Sequence, residues 1–335
     1  MNVSPQAAQA AQAAQTAQVP QAQQIPQVPQ YPPHVAQPTY LPHAYAEPAP
    51  GPAPQAHAQT QAQAQAQAQV QAQAVTAPAA ARTVRAERRG PVLHVELDSP
   101  ATGNAVTVAM LDELLAVLAA PDPAVRVIVL SGAGRDFCLG GDREALTAGL
   151  DEDPTGGGIR SYGDKARRVC EALTASPAVT VARVQGRATG AGFALALACD
   201  LRVGADNAVF RLPELALGLP VAWGGLLPRL IHEVGAARVR EIILTSRPVG
   251  AVEARELAIL QRVVPEQDLD GAVAEWVRPV TRRPEAALRV TKTLLASHAA
   301  ATRLADASVL DSELMASVLA AAHYARNLAD RPQAH

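Results

Sequence analysis

The stretch Val184-Gln185-Gly186-Arg187-Ala188-Thr189-Gly190-Ala191-Gly192-Phe193-Ala194-Leu195-Ala196-Leu197-Ala198-Cys199-Asp200 decides how this chain is read. It starts where the apolar run Ala178–Val184 ends, turns on glycines, and runs from Phe193 to Cys199 without a polar side chain. A short run of β-branched residues fits a strand covered on both faces, and a segment with no polar side fits a helix buried all round. Where a strand passes through glycines straight into such a helix, unpaired main-chain N–H groups and the positive end of a helix dipole are left at the turn. Glycine also lets a ligand approach the backbone closely.

Working outward, a second junction of this kind lies upstream, where the apolar run Val125–Leu130 enters Ser131-Gly132-Ala133-Gly134. Before it, Thr83–Glu87 and Val92–Leu97 read as strands flanking the turn Arg88-Arg89-Gly90-Pro91, because Leu93, Val95 and Leu97 alternate with His94 and Glu96. Val108–Ala119 reads as a helix with Leu111, Leu114, Leu115 and Leu118 on one stripe, stopped by Pro121 and Pro123. Asp151–Gly163, acidic and glycine-rich, reads as a surface loop ahead of a helix from Asp164 to Thr174. Strands return at Leu201–Ala205 and Ala208–Arg211, and from Ala236 onward the helical period dominates, broken at Pro248, Pro265, Pro279 and Pro284. Strands interleaved with helices and then helices alone predict an α/β core with an α-helical carboxyl-terminal region.

The first 81 residues are nearly all Ala, Gln and Pro, with one charged side chain, Glu47, and they offer no bulky apolar face to offset the entropy of ordering, so residues 1–81 are expected to be a disordered tail. All 29 basic residues and 30 of the 31 acidic ones follow it, which leaves no basic surplus for nucleic acid. No secretory leader pattern and no apolar run of about 18–20 residues is present, so a soluble cytoplasmic protein without a membrane span is expected. Cys138, Cys170 and Cys199 make an odd count and read as reduced, buried thiols. Neither Gly132-Ala133-Gly134 nor Gly190-Ala191-Gly192 completes a dinucleotide fingerprint. A phosphate-loop Gly-Lys pair, a Gly-x-Ser-x-Gly elbow and metal-ligand spacings are also missing, so no metal is expected. What two glycine turns do suit is carbonyl activation, in which fixed N–H donors in a dry cavity stabilise negative charge on an oxygen.

Three ordered blocks then resemble one family. Asp136-Phe137-Cys138-Leu139-Gly140-Gly141-Asp142 looks like the Phe-Cys-x-Gly-x-Asp loop of the crotonase (enoyl-CoA hydratase/isomerase) superfamily, and the stretch quoted first is similar to its second glycine loop and buried helix. Phe210-Arg211-Leu212-Pro213-Glu214-Leu215-Ala216-Leu217-Gly218, continuing to Pro220, Gly224-Gly225 and Leu230, resembles its Phe-x-x-Pro-Glu-x-x-x-Gly segment. Weaker matches at Pro100, Asn104-Ala105 and Ala287–Leu295 extend the resemblance over residues 84–298.

The resemblance implies a crotonase (ClpP/crotonase-like) fold of repeated β-β-α units over residues 82–270, and a helical region over 271–335 that in this family assembles trimers or pairs of trimers. It implies an acyl-coenzyme A substrate, or a carrier-protein thioester bearing the same pantetheine arm. Coenzyme A would then enter as part of the substrate, with no separate cofactor. Carried over, the oxyanion-hole donors are the N–H groups of Leu139 and Ala191, with Cys138, Gly140, Gly190 and Gly192 around them, and Glu214 matches the proton-handling glutamate. Loss of one such donor costs on the order of 3–4 kcal/mol of transition-state stabilisation. Asp142 closes the first loop, where a structural hydrogen-bonding role is expected ahead of catalysis, beside the substrate-binding residues. Trp223 either lines and shortens the acyl pocket or packs. Gly103 stands where relatives often carry a basic side chain near the coenzyme phosphates, so Arg143, Lys292 or a neighbouring subunit would supply that grip. The departure is Ala194, where two-carboxylate hydratases have their other glutamate. Isomerisation through a dienolate needs only one base and is therefore expected ahead of hydration; decarboxylation, or a catalytically weakened scaffold recruiting partners through its tail, stays open.

Overall fold

A computed structural model describes residues 82–119, 122–301 and 308–329; the expected amino-terminal tail lies outside them. The hairpin of β1 (Val84–Arg89) and β2 (Val92–Leu97) pairs Val84 with Leu97 around the turn at Gly90. After α1 (Val108–Leu118), whose amino terminus is capped by the Thr107 hydroxyl accepting from Met110 N at 3.1 Å, the chain enters β3 (Val127–Gly132). Helices α2 (Arg143–Glu152) and α3 (Gly157–Ala175) lead to β4 (Val179–Val184). Then come β5 (Arg187–Thr189), α4 (Ala191–Leu197), β6 (Leu201–Ala205) and β7 (Val209–Arg211). The remainder is α5 (Leu226–Val234), α6 (Ala236–Thr245), β8 (Val249–Gly250), α7 (Ala251–Glu256), β9 (Arg262–Val264), α8 (Leu269–Thr281), α9 (Glu285–Ala301) and α10 (Asp311–Ala329).

The main sheet has the order β1-β2-β3-β4-β6-β9, parallel except for β1, and a small second sheet has the order β5-β7-β8. The apolar runs at β3 and β4 follow from burial on both faces. Ile128, Leu130, Ala182 and Val184 face the larger core with α1, α3 and α4, whereas Val127, Val129, Val179 and Val181 face Leu269, Ala272 and Val273 of α8. All seven residues of α4 are buried, as its lack of a polar side predicted. Among the described residues, no helix is long and apolar enough to cross a membrane.

Two segments differ from their sequence reading. Asp151–Gly163 is not a loop: α2 covers its first two residues and α3 begins at Gly157. Its glycines hide a helix that buries Ile159, Tyr162 and Ala166, and Gly163 makes room for α10, since a Cβ there would lie 2.8 Å from the Ser312 Cβ. The second difference lies beyond Ala236, where β8 and β9 interrupt the helices and β9 pairs with β6. Strands of two and three residues are too short to carry a periodicity.

Candidate active site

The two glycine junctions meet because the ends of β3 and β4 are neighbours and buried polar side chains bind them together. Gln185 Nε2 donates to the carbonyls of Gly132 (2.7 Å) and Gly134 (3.0 Å). Asp136 accepts from Arg187 N at 3.0 Å and from its Nη2 at 2.7 Å, and this guanidinium holds the carboxyl below the usual range. Asn104, fully buried, accepts from Ser99 N and donates to the carbonyls of Ala133 and Asp136, each at 2.9 Å. The loops then run side by side, with Cys138 N donating to Arg187 O (3.1 Å) and Thr189 N to Cys138 O (2.9 Å). Gly192 is required by this contact, because a Cβ there would lie 2.3 Å from Cys138 O.

The free amide of the first loop is not the one expected at Leu139. Leu139 N donates to Gly103 O at 2.9 Å, Gly140 N approaches Cys138 Sγ at 3.5 Å, and Asp142 N donates to Val106 O at 3.0 Å. Leu139 therefore has no N–H to offer a ligand. From Cys138 to Asp142, the amide that makes no hydrogen bond among the described residues belongs to Gly141, which is half-buried and reachable. In the second loop Gly190 N is engaged with Arg211 O at 3.0 Å, whereas Ala191 N, the first amide of α4, has no partner among the described residues. Gly140, at φ 104°, lets the loops pass closely, since a Cβ on it would lie 3.1 Å from Thr189 O. The motif located the loop, but only the structure shows which peptide planes the Gly103 and Val106 carbonyls consume.

Glu214 follows β7 and Pro213 and faces the second loop, where its Oε1 would lie 2.8 Å from a Cβ on Gly190. Its Oε2 is buried without a hydrogen-bond partner among the described residues. Burial pushes its carboxyl up to about 7, opposed only by its own N–H, so the group is poised to take a proton and to return it near neutrality. Ala194 is 0% exposed and supplies no second carboxylate. Cys138 is buried, and its thiol is pushed up to about 12, which makes it a wall of the site and not a nucleophile.

Trp223 is buried and its ring centroid stands 6.5 Å from that of Tyr162, a residue the sequence reading missed. The Tyr162 hydroxyl donates to Val106 O at 3.3 Å and lies 2.8 Å from where a Cβ on Gly141 would be. Asp142 caps α2, accepting from Ala145 N at 3.0 Å, which is its structural alternative. Lys292 is not at the site. It is buried on α9, where Nζ donates to Ala178 O at 2.7 Å and pairs with Asp200 Oδ2 at 2.8 Å, so its ammonium cannot grip a coenzyme phosphate. Lys292→Met is expected to lower the unfolding free energy by about 2–3 kcal/mol, because Asp200 keeps its bonds from Thr180 but loses its ion partner. It should leave acyl-CoA affinity unchanged, as urea unfolding and titration calorimetry would show.

Comparison with known proteins agrees with this geometry. The enoyl-CoA hydratase/isomerase family model matches residues 87–329. Carnitinyl-CoA dehydratase of Proteus mirabilis is 33% identical over 219 residues, 64% of this chain and 80% of the relative. A peroxisomal Delta(3,5)-Delta(2,4)-dienoyl-CoA isomerase of Arabidopsis thaliana is 29% identical over 222 residues, 63% of this chain and 80% of the relative. A Thermobifida fusca YX protein solved in complex with CoA superposes with a TM-score of 0.58 at 33% identity, covering 74% of this chain and 96% of that one. With its parallel sheet, paired glycine loops and matched length, the chain belongs to the enoyl-CoA hydratase/isomerase family, the crotonase superfamily.

Proposed function

We propose that this protein is an enoyl-CoA isomerase that moves a double bond through a dienolate with Glu214 as its single proton shuttle. The observation that carries the reading is Glu214, half-buried against Gly190 with a carboxyl near 7, while Ala194 occupies the place of a second carboxylate. The thioester oxygen of a 3-enoyl-CoA sits between the unpaired amides of Gly141 and Ala191. Glu214 removes a proton from C2, and the electron pair delocalises over C2–C4 and onto that oxygen, where the two N–H groups stabilise it. The same proton then returns from Glu214 to C4, leaving the double bond between C2 and C3 and the carboxylate restored. A water-adding reaction needs a second group to activate the water, and the fully buried α4 has none at position 194.

The protein assembles, in this reading, as a homotrimer or hexamer through its carboxyl-terminal helices. The exposed Val290, Leu294 and Leu295 of α9 and Leu314 and Val318 of α10 support this, since exposed apolar groups in one region mark an association surface. The decisive experiment incubates the purified protein with 2-enoyl-, 3-enoyl- and malonyl-type CoA esters. The expected result is conversion of the 3-enoyl ester to the 2-enoyl ester with no hydration. Hydration of the 2-enoyl ester, or loss of carbon dioxide from the malonyl ester, overturns it; binding without any turnover indicates the scaffold.

A further inference from the structure

The last helix reaches back to α3 and to the turn that precedes α5. Ser312 at the start of α10 donates to Asp164 Oδ1 at 3.1 Å, and Met315 and Ala316 are buried in the core beside α3. Asp311, the first residue of α10, accepts a hydrogen bond from Gly225 N at 3.0 Å through Oδ2. That turn is unusual: Gly224 (φ 58°) and Gly225 (φ 70°) are two successive left-handed residues, a conformation with little intrinsic preference over others for glycine. It must therefore be fixed by its surroundings. Gly224 backs onto Cys170 Sγ, Arg229 Nη1 donates to Gly224 O at 2.6 Å, and Asp311 takes the next amide.

The residue entering this turn is Trp223. Its indole Nε1 is buried without a hydrogen-bond partner among the described residues, so packing against Tyr162 and the turn's backbone set the ring's position. Tyr162 in turn lies against Gly141, whose amide is one of the two unpaired donors. We propose that Asp311 is a positioning residue for the acyl end of the pocket: by holding the Gly224-Gly225 turn it fixes Trp223, whose ring limits the length of acyl chain the site admits. This rests on the acyl-CoA reading above.

The test uses a Trp276→Phe background, in which Trp223 is the sole tryptophan of the full-length protein. Asp311→Ala is expected to red-shift the Trp223 emission and raise its quenching by acrylamide. It should also lower, by about tenfold, the preference in kcat/KM for a four-carbon over an eight-carbon 3-enoyl-CoA. Asp311→Asn, which still offers an oxygen to Gly225 N, should restore both. A general loss of stability would scale the two substrates together. An unchanged emission together with an unchanged chain-length ratio in folded Asp311→Ala overturns the assignment. Should that variant not fold, Asp311→Glu moves the carboxylate without removing it and is read in the same way. Absence of turnover in the parent protein rejects the isomerase reading alone, and the emission of Trp223 then decides the role of Asp311.

Discussion

Glu214→Gln is expected to lower kcat for double-bond migration by roughly 10²–10⁴-fold while leaving the affinity for a CoA ester nearly intact. The amide keeps the size and the contact with Gly190 but cannot accept the C2 proton. In the parent protein the reaction requires the ionised carboxylate, and its pKa is about 7, so kcat/KM should fall about tenfold per pH unit below that value and level off above it. Stability should move in the opposite direction. The carboxyl is raised by burial from its ordinary 4.5, so the folded state keeps a proton that the unfolded chain releases. The contribution of this group is therefore fully present below pH 4.5 and is lost as pH rises through 7. Glu214→Gln should be more stable than the parent by about 2–3 kcal/mol at pH 8 and no more stable at pH 4, as urea denaturation at the two values would show. Equal activity in the variant would remove the mechanism; an unaltered pH dependence of stability would remove the buried carboxyl.

Ala191→Pro probes the other half of the chemistry. Proline is tolerated at the first position of a helix because the N–H it lacks has no helical partner there. At Ala191 that N–H has no partner among the described residues, and Gly190, which precedes it, is free of the Cβ that usually conflicts with a following proline. The substitution therefore removes one donor and sets the ring's Cδ where that N–H pointed, while the helix start is kept. Activity should fall by at least about 10²–10³-fold, equivalent to roughly 3–4 kcal/mol, with circular dichroism close to that of the parent. A folded variant of full activity would show that the oxygen is held by other groups.

Much of this was legible in the sequence because burial imposes composition. The runs at β3 and β4 and the residues from Phe193 to Cys199 are apolar since both faces, or every face, are covered, and that left the glycine junctions conspicuous. Glu214 stood out through its motif. Less legible was anything that depended on which groups face each other. Leu139 and Gly141 share a loop and differ only in the orientation of their peptide planes, which the Gly103 and Val106 carbonyls from a distant segment determine. Lys292 stood as a candidate phosphate ligand because Gly103 supplies no basic side chain; its partners, Ala178 and Asp200, are more than ninety positions away. Tyr162 was masked by the glycines around it, which were read as a loop when they give α10 room to dock.

The packing of α4 also bears on how this catalyst could diverge. Ala194 is fully buried, so an acidic residue there would need neighbouring side chains to give way to its extra length and to admit water. A gain of water addition would thus call on the packing around position 194 as well as on the residue itself, which ties any change of reaction to the interior of this helix.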